Sequence, residues 1–135
     1  MTVTSEIRGA VEDCVRRSHE GTISFGEAVG KLIENGVEGY FADYRRRETI
    51  FYWPSGATMA IALETPPIAI PTAFDAEAVR RAVLGAQSGV VKYPEFMRLT
   101  MAAGCVGYFV WIAGRHVAYF GRSGETHVEH FPGAR

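Results

Sequence analysis

Val3, Ile7, Val11, Cys14 and Val15 recur every three or four positions with charged residues between them, so the start of the chain predicts an amphipathic helix ending near Gly21. A second helix is expected at once. Ser24 and Glu27 form the S-x-x-E pattern that satisfies two backbone N–H groups of a first turn, Val29, Leu32 and Ile33 make the buried stripe, and Gly36 after Asn35 is placed to stop the helix in the left-handed conformation. The apolar period then shortens to two. Residues 37–44, 49–53 and 57–63 predict strands, joined by the charged turn Arg45-Arg46-Arg47-Glu48 and by Pro54-Ser55-Gly56.

The pattern then begins again. Asp75 is placed to cap a helix running through Gln87, Pro94 suits the first turn of the next helix, and strands are expected near 105–112, 116–120 and 125–131. Residue by residue the second half tracks the first at an offset of 68: Gly21 with Gly89, Glu27 with Glu95, Gly36 with Gly104, Gly39-Tyr40-Phe41 with Gly107-Tyr108-Phe109, Ser55-Gly56 with Ser123-Gly124. With Ala10, Val11, Val15, Arg47 and Thr58, laying residues 6–67 on 74–135 gives 13 identities without a gap, where average residue usage gives roughly 4. Pairs such as Ile23 with Val91, Phe25 with Tyr93 and Phe51 with Tyr119 keep apolar bulk. The expectation is one α+β domain over residues 1–135, built from two pseudo-twofold-related α-α-β-β-β repeats (2–64 and 73–132) with antiparallel sheet. The linker, 65–72, holds Pro66, Pro67 and Pro71, which forbid helix.

Apolar residues make up 47% of the chain and charged ones 21%, so 135 residues suffice to fold as one domain without metal or disulfide. The net charge of -1 draws the chain neither to nucleic acid nor to an anionic membrane. No cationic leader and no run of about 18 apolar residues occurs, so the expectation is a cytoplasmic protein, neither exported nor membrane-spanning. The two cysteines, Cys14 and Cys105, stand opposite Ala82 and Val37 in the repeat and read as buried free thiols.

Gly21-x-Ile23-x-x-x-Glu27 and Gly89-x-Val91-x-x-x-Glu95 look like the back half of an EF-hand loop, which suggests that Ile23 and Val91 pair across the dyad. The front positions hold Arg16, Ser18 and Glu20, or Leu84, Ala86 and Ser88, too few oxygen ligands for calcium. No cofactor motif and no metal-ligand spacing occurs. From Met101-Ala102-Ala103-Gly104-Cys105 to Tyr119-Phe120-Gly121-Arg122-Ser123-Gly124-Glu125-Thr126-His127-Val128-Glu129-His130-Phe131-Pro132, the chain resembles the YdfO-like family. Those are small bacterial and prophage proteins carried as a domain of unknown function, sometimes labelled phage envelope protein. The likeness extends through Gln87-Ser88-Gly89 and Gly36-Val37-Glu38-Gly39-Tyr40, and implies an α+β fold without an established activity.

Where one copy is polar and the other apolar, packing alone did not set the choice. His127 and Glu129 stand where the first half has Met59 and Ile61, on one face of a strand. A carboxylate beside an imidazole fixes its tautomer and raises its basicity, which makes the pair a candidate for binding or catalysis, with a solvated or structural pair as the plain alternative. Asp43 and Tyr44 stand opposite Trp111 and Ile112, and Tyr40, Tyr108 and Tyr119 bring hydroxyls into the same sheet. The ligand-binding candidates are therefore Asp43, Tyr44, Tyr108, Tyr119, His127 and Glu129.

The favoured reading is a non-enzymatic module that binds a small molecule or a protein between the two halves, where clefts form. The alternative is a hydrolytic enzyme with His127 as base, Glu129 as orienter and a tyrosine or Cys105 nearby. Nucleic-acid binding through the hairpin from Arg45 to Arg47 stands third, a solvated hairpin tip being its plain alternative. Homo-oligomerisation is left open.

Overall fold

Two helices and three strands, then two helices and three strands again, appear in the computed structural model, which describes residues 2–133. They are α1 (Ser5–Glu20), α2 (Phe25–Glu34), β1 (Gly39–Asp43), β2 (Glu48–Tyr52), β3 (Thr58–Ala62), α3 (Ala76–Gln87), α4 (Tyr93–Ala102), β4 (Cys105–Trp111), β5 (His116–Gly121) and β6 (Thr126–His130). Three of the four helices begin where a side chain satisfies a first-turn N–H group, and α4 instead carries Pro94 in its first turn. Thr4 Oγ1 accepts from the Ile7 N–H, Ser24 and Glu27 form the reciprocal capping box, and Asp75 accepts from the Ala78 N–H. Gly36 and Gly104 follow the ends of α2 and α4 at φ 81° and 91°, the left-handed stop read from the sequence.

The six strands form one antiparallel sheet in the order β3-β2-β1-β4-β5-β6, with β1 and β4 at its centre. Across that central pair Phe41 lies opposite Phe109, Gly39 opposite Trp111 and Asp43 opposite Gly107. Phe41 and Phe109 are equivalent under the 68-residue offset, and the other two pairings exchange equivalents. The register is thus symmetric about the Phe41–Phe109 pair. The left-handed residues follow the same offset: Gly21 with Gly89, Gly36 with Gly104, Arg47 with Arg115 and Gly56 with Gly124. Several of the repeated identities thus sit where the backbone turns.

Glycine has a second use in the repeated Gly-Tyr-Phe. A Cβ on Gly39 would lie 3.0 Å from the Phe109 ring, and one on Gly107 would lie 3.2 Å from the Phe41 ring and 2.5 Å from the Ala42 carbonyl oxygen. Each phenylalanine lies over the other half's glycine, which is why the pair is bare of side chain.

The two faces of the sheet differ. Tyr40, Ala42, Phe51, Val110 and Val117 join Val11, Leu32, Val79 and Met97 of the helices in a single core drawn from both halves. Burying a Val, Leu or Phe side chain there stabilises the fold by about 1.5–3 kcal/mol each. Phe41, Ile50, Tyr52, Phe109, Trp111 and Phe120 alternate to the other face and lie outside that core, where Phe109 stacks on Trp111 with ring centroids 4.0 Å apart. All four helices therefore cover one side of the sheet.

Candidate functional site

Between the helices and the covered face of the sheet lies a mainly apolar cavity of about 250 Å³. Tyr40, Phe51, Tyr108 and Tyr119 line it from the sheet, Cys14, Ser18, Ala28 and Leu32 from the first two helices, and Val83, Ala86, Tyr93 and Phe96 from the other two. The α1–α2 loop, residues 21–24, and its equivalent at 89–92 both reach it, so Ile23 and Val91 share one cavity. Glu129 to Pro132 complete the lining, with the Phe131 ring edge-on to Phe25 at 5.7 Å.

Four phenols, those of Tyr40, Tyr93, Tyr108 and Tyr119, stand among the polar groups of this lining. The Tyr93 and Tyr108 hydroxyls bond each other at 2.7 Å, and the Tyr44 hydroxyl bonds Thr100 Oγ1 at 2.8 Å deeper in the core. The hydroxyls of Tyr40 and Tyr119 have no hydrogen-bond partner among the described residues, although both side chains are buried and line the cavity. Burial pushes the Tyr93 phenol up to about 12 and the Tyr40, Tyr44 and Tyr108 phenols well above their ordinary 10.0, so all four are neutral. Tyr119 is raised too, first by burial and then by its neighbours Cys105 and Glu129. On its far side Tyr93 stacks on His19 at 5.8 Å; desolvation holds that imidazole below its ordinary 6.5, and its Nε2 has no partner among the described residues.

His127 and Glu129 lie on the covered face of β6, and His127 Nε2 is 2.6 Å from Glu129 Oε2, each side chain about a fifth exposed. Glu129 lines the cavity and His127 does not. The imidazole therefore grips the carboxylate from outside, beside the Tyr119 ring at 6.4 Å. Tyr108 and Tyr119 share the cavity with Glu129, whereas Tyr44 does not line it and packs in the core edge-on to Tyr108, ring centroids 6.0 Å apart. Asp43 alternates to the uncovered face, where its carboxylate accepts the Arg45 and Arg46 backbone N–H groups at 3.1 Å each and shapes the hairpin. Arg45, Arg46 and Arg47 are exposed, with Arg46 paired to Glu48 at 2.9 Å.

Both cysteines are free and buried. Cys14 donates to the Ala28 carbonyl and Cys105 to the Gly107 carbonyl, and burial pushes each thiol up to about 11. Neither is a thiolate at neutral pH. Among the described residues no three His, Cys, Asp or Glu side chains converge as metal ligands, and no helix is long and apolar enough to cross a membrane.

Tyr40 and Tyr93 both line the cavity and stand outside the ligand-binding candidates, and Tyr93 had a signal in the sequence. The half-against-half comparison contains it, because Phe25 and Phe51 of the first half become Tyr93 and Tyr119 in the second, each gaining a hydroxyl. Conservative aromatic exchanges hide this signal, since bulk is unchanged.

An α+β sheet with four helices on one face and a tyrosine-lined cavity beneath them defines the class of the domain. The chain belongs to the family described as "Protein of unknown function (DUF1398)", which matches residues 11–129. No curated protein matches the chain.

Proposed function

We propose that the protein is a non-enzymatic binding module that holds one small molecule in the cavity between the helices and the sheet. The observation that carries this reading is the pair of hydroxyls of Tyr40 and Tyr119, which have no partner among the described residues and are not fully enclosed, so each opens onto a mainly apolar cavity. Water can bond to hydroxyls that open onto the cavity, and an occupant that covers one without bonding to it loses about 1–3 kcal/mol, so both hydroxyls favour an occupant that bonds to them. The volume lies just below the roughly 300–1,000 Å³ of sites for drug-sized ligands, which limits the occupant to about one ring. The hydrolytic alternative has less support, because the His127 imidazole does not line the cavity and the Cys105 thiol is buried and protonated. In this reading the two halves are related copies that wall one site. The chain is cytoplasmic, and its family membership takes the finer form of the YdfO-like proteins.

A thermal-shift screen of small aromatic and heterocyclic compounds tests the reading, run in parallel on the wild type and on Ala86→Phe, which fills the cavity from α3. Compounds that raise the wild-type Tm are expected to lose most of their shift in the variant. Shifts that persist at equal size would place binding elsewhere.

A further inference from the structure

We propose that the cavity selects a small organic cation, an ammonium group on an apolar, single-ring body. This rests on the reading of the cavity as a small-molecule site and names the chemistry it would recognise.

The first observation is the wall. Rings of Tyr40, Phe51, Tyr93, Phe96, Tyr108 and Tyr119 line one small space. Aromatic faces carry negative potential that attracts cations, most strongly where water is excluded. The same faces disfavour an anion.

The second is the carboxylate at its edge. Glu129 brings an acid to the lining where the equivalent residue of the first half is Ile61, so packing did not require it. His127 holds Oε2 from outside the lining, while Oε1 has no hydrogen-bond partner among the described residues. A neutral imidazole can make that bond through one N–H, which orients the carboxylate and leaves its charge in place. Glu129 is also near enough to raise the Tyr119 phenol, after burial and Cys105.

The third is the scarcity of competing positive charge. Lys92 is the one lysine in the lining and no arginine is present; it is exposed and lies against Gly21 at the α1–α2 loop. Neutral phenols offer oxygen lone pairs to an N–H donor, and Tyr40 and Tyr119 are free to do so. A neutral ligand would bury part of the Glu129 carboxylate without compensation, and an anion would meet both that charge and the ring faces.

Three probes of one size separate the cases: phenethylammonium, 2-phenylethanol and phenylacetate, titrated calorimetrically at neutral pH into the wild type and into Glu129→Gln. The expected order in the wild type is ammonium first by about tenfold or more, alcohol second, carboxylate last, with Glu129→Gln bringing the ammonium to the level of the alcohol. An alcohol that binds as well as the ammonium, or an ammonium preference that survives Glu129→Gln, overturns the cation proposal and leaves the small-molecule reading standing. Failure of all three to bind removes both. The order among probes on the wild type decides the question even if the variant does not fold.

Discussion

Phe41 and Phe109 face each other across the two central strands with ring centroids 6.1 Å apart, and each lies over the glycine that precedes the other by two residues. The two are not equal in surroundings. Phe109 also stacks on Trp111 at 4.0 Å and on Tyr52 at 5.8 Å, whereas Phe41 adds only Phe120 at 6.4 Å. Phe109→Ala is expected to destabilise by about 1–3 kcal/mol and by more than Phe41→Ala, because aromatic pairs contribute about 0.5–1.5 kcal/mol beyond their burial. Urea unfolding of the two variants checks the order.

Gly104 and Gly56 have nearly the same positive φ, 91° and 93°, in different surroundings. A Cβ at Gly104 would lie 2.1 Å from the Ala73 carbonyl oxygen, while one at Gly56 meets nothing within 4 Å. Gly56→Ala is expected to cost about 1 kcal/mol from the backbone alone. Gly104→Ala should cost clearly more, about 3 kcal/mol, since the backbone at Ala73 must also move. Equal losses in denaturant melts would show that Ala73 does not pack there.

Removing the Tyr93 hydroxyl leaves that of Tyr108 buried without its partner at 2.7 Å. Tyr93→Phe is expected to cost about 1–3 kcal/mol, and Tyr93→Phe with Tyr108→Phe less than the sum of the single changes. A double-mutant cycle by chemical denaturation reads the coupling, and strict additivity would mean that the two phenols do not bond.

The raised thiols fix the direction of the alkaline response. Burial moves Cys14 and Cys105 from an ordinary 9.0 to about 11, so the unfolded chain loses these protons first. Their contribution to stability is then intact below pH 9 and lost as pH rises from 9 towards 11, with Tyr93 following between 10 and about 12. Tm measured from pH 8 to 11 is expected to fall above pH 9, less steeply in Cys14→Ala with Cys105→Ala. In the native protein at pH 7.5 neither thiol should react with iodoacetamide within minutes, and both should react in guanidinium.

Much of the fold was legible because local chemistry and the repeat agreed. The Ser24–Glu27 box, the Asp75 cap, and Gly36 and Gly104 at helix ends each stand where read, and every helix and strand lies within a few residues of its expected range. Period-two alternation could not say which face of the sheet the helices would cover, because Phe41, Tyr52, Phe109 and Trp111 make the uncovered face as apolar as the buried one. That ambiguity governs the site. Asp43 and His127 are both polar departures between the halves, yet they lie on opposite faces and only Glu129 of the His127 pair lines the cavity. The cavity itself draws residues from all four helices and from strands distant in sequence, a grouping that no local pattern encodes.

The central claim, that a small molecule enters between the helices and the sheet, is tested most directly by mapping a bound probe on the protein. Amide ¹⁵N–¹H spectra recorded with increasing phenethylammonium and 2-phenylethanol should shift residues 21–25, 89–93 and 129–131 together, from both halves at once, and these shifts should vanish in Ala86→Phe. Shifts confined to the uncovered face around Phe109 and Trp111, or none with either probe at millimolar concentration, would contradict it.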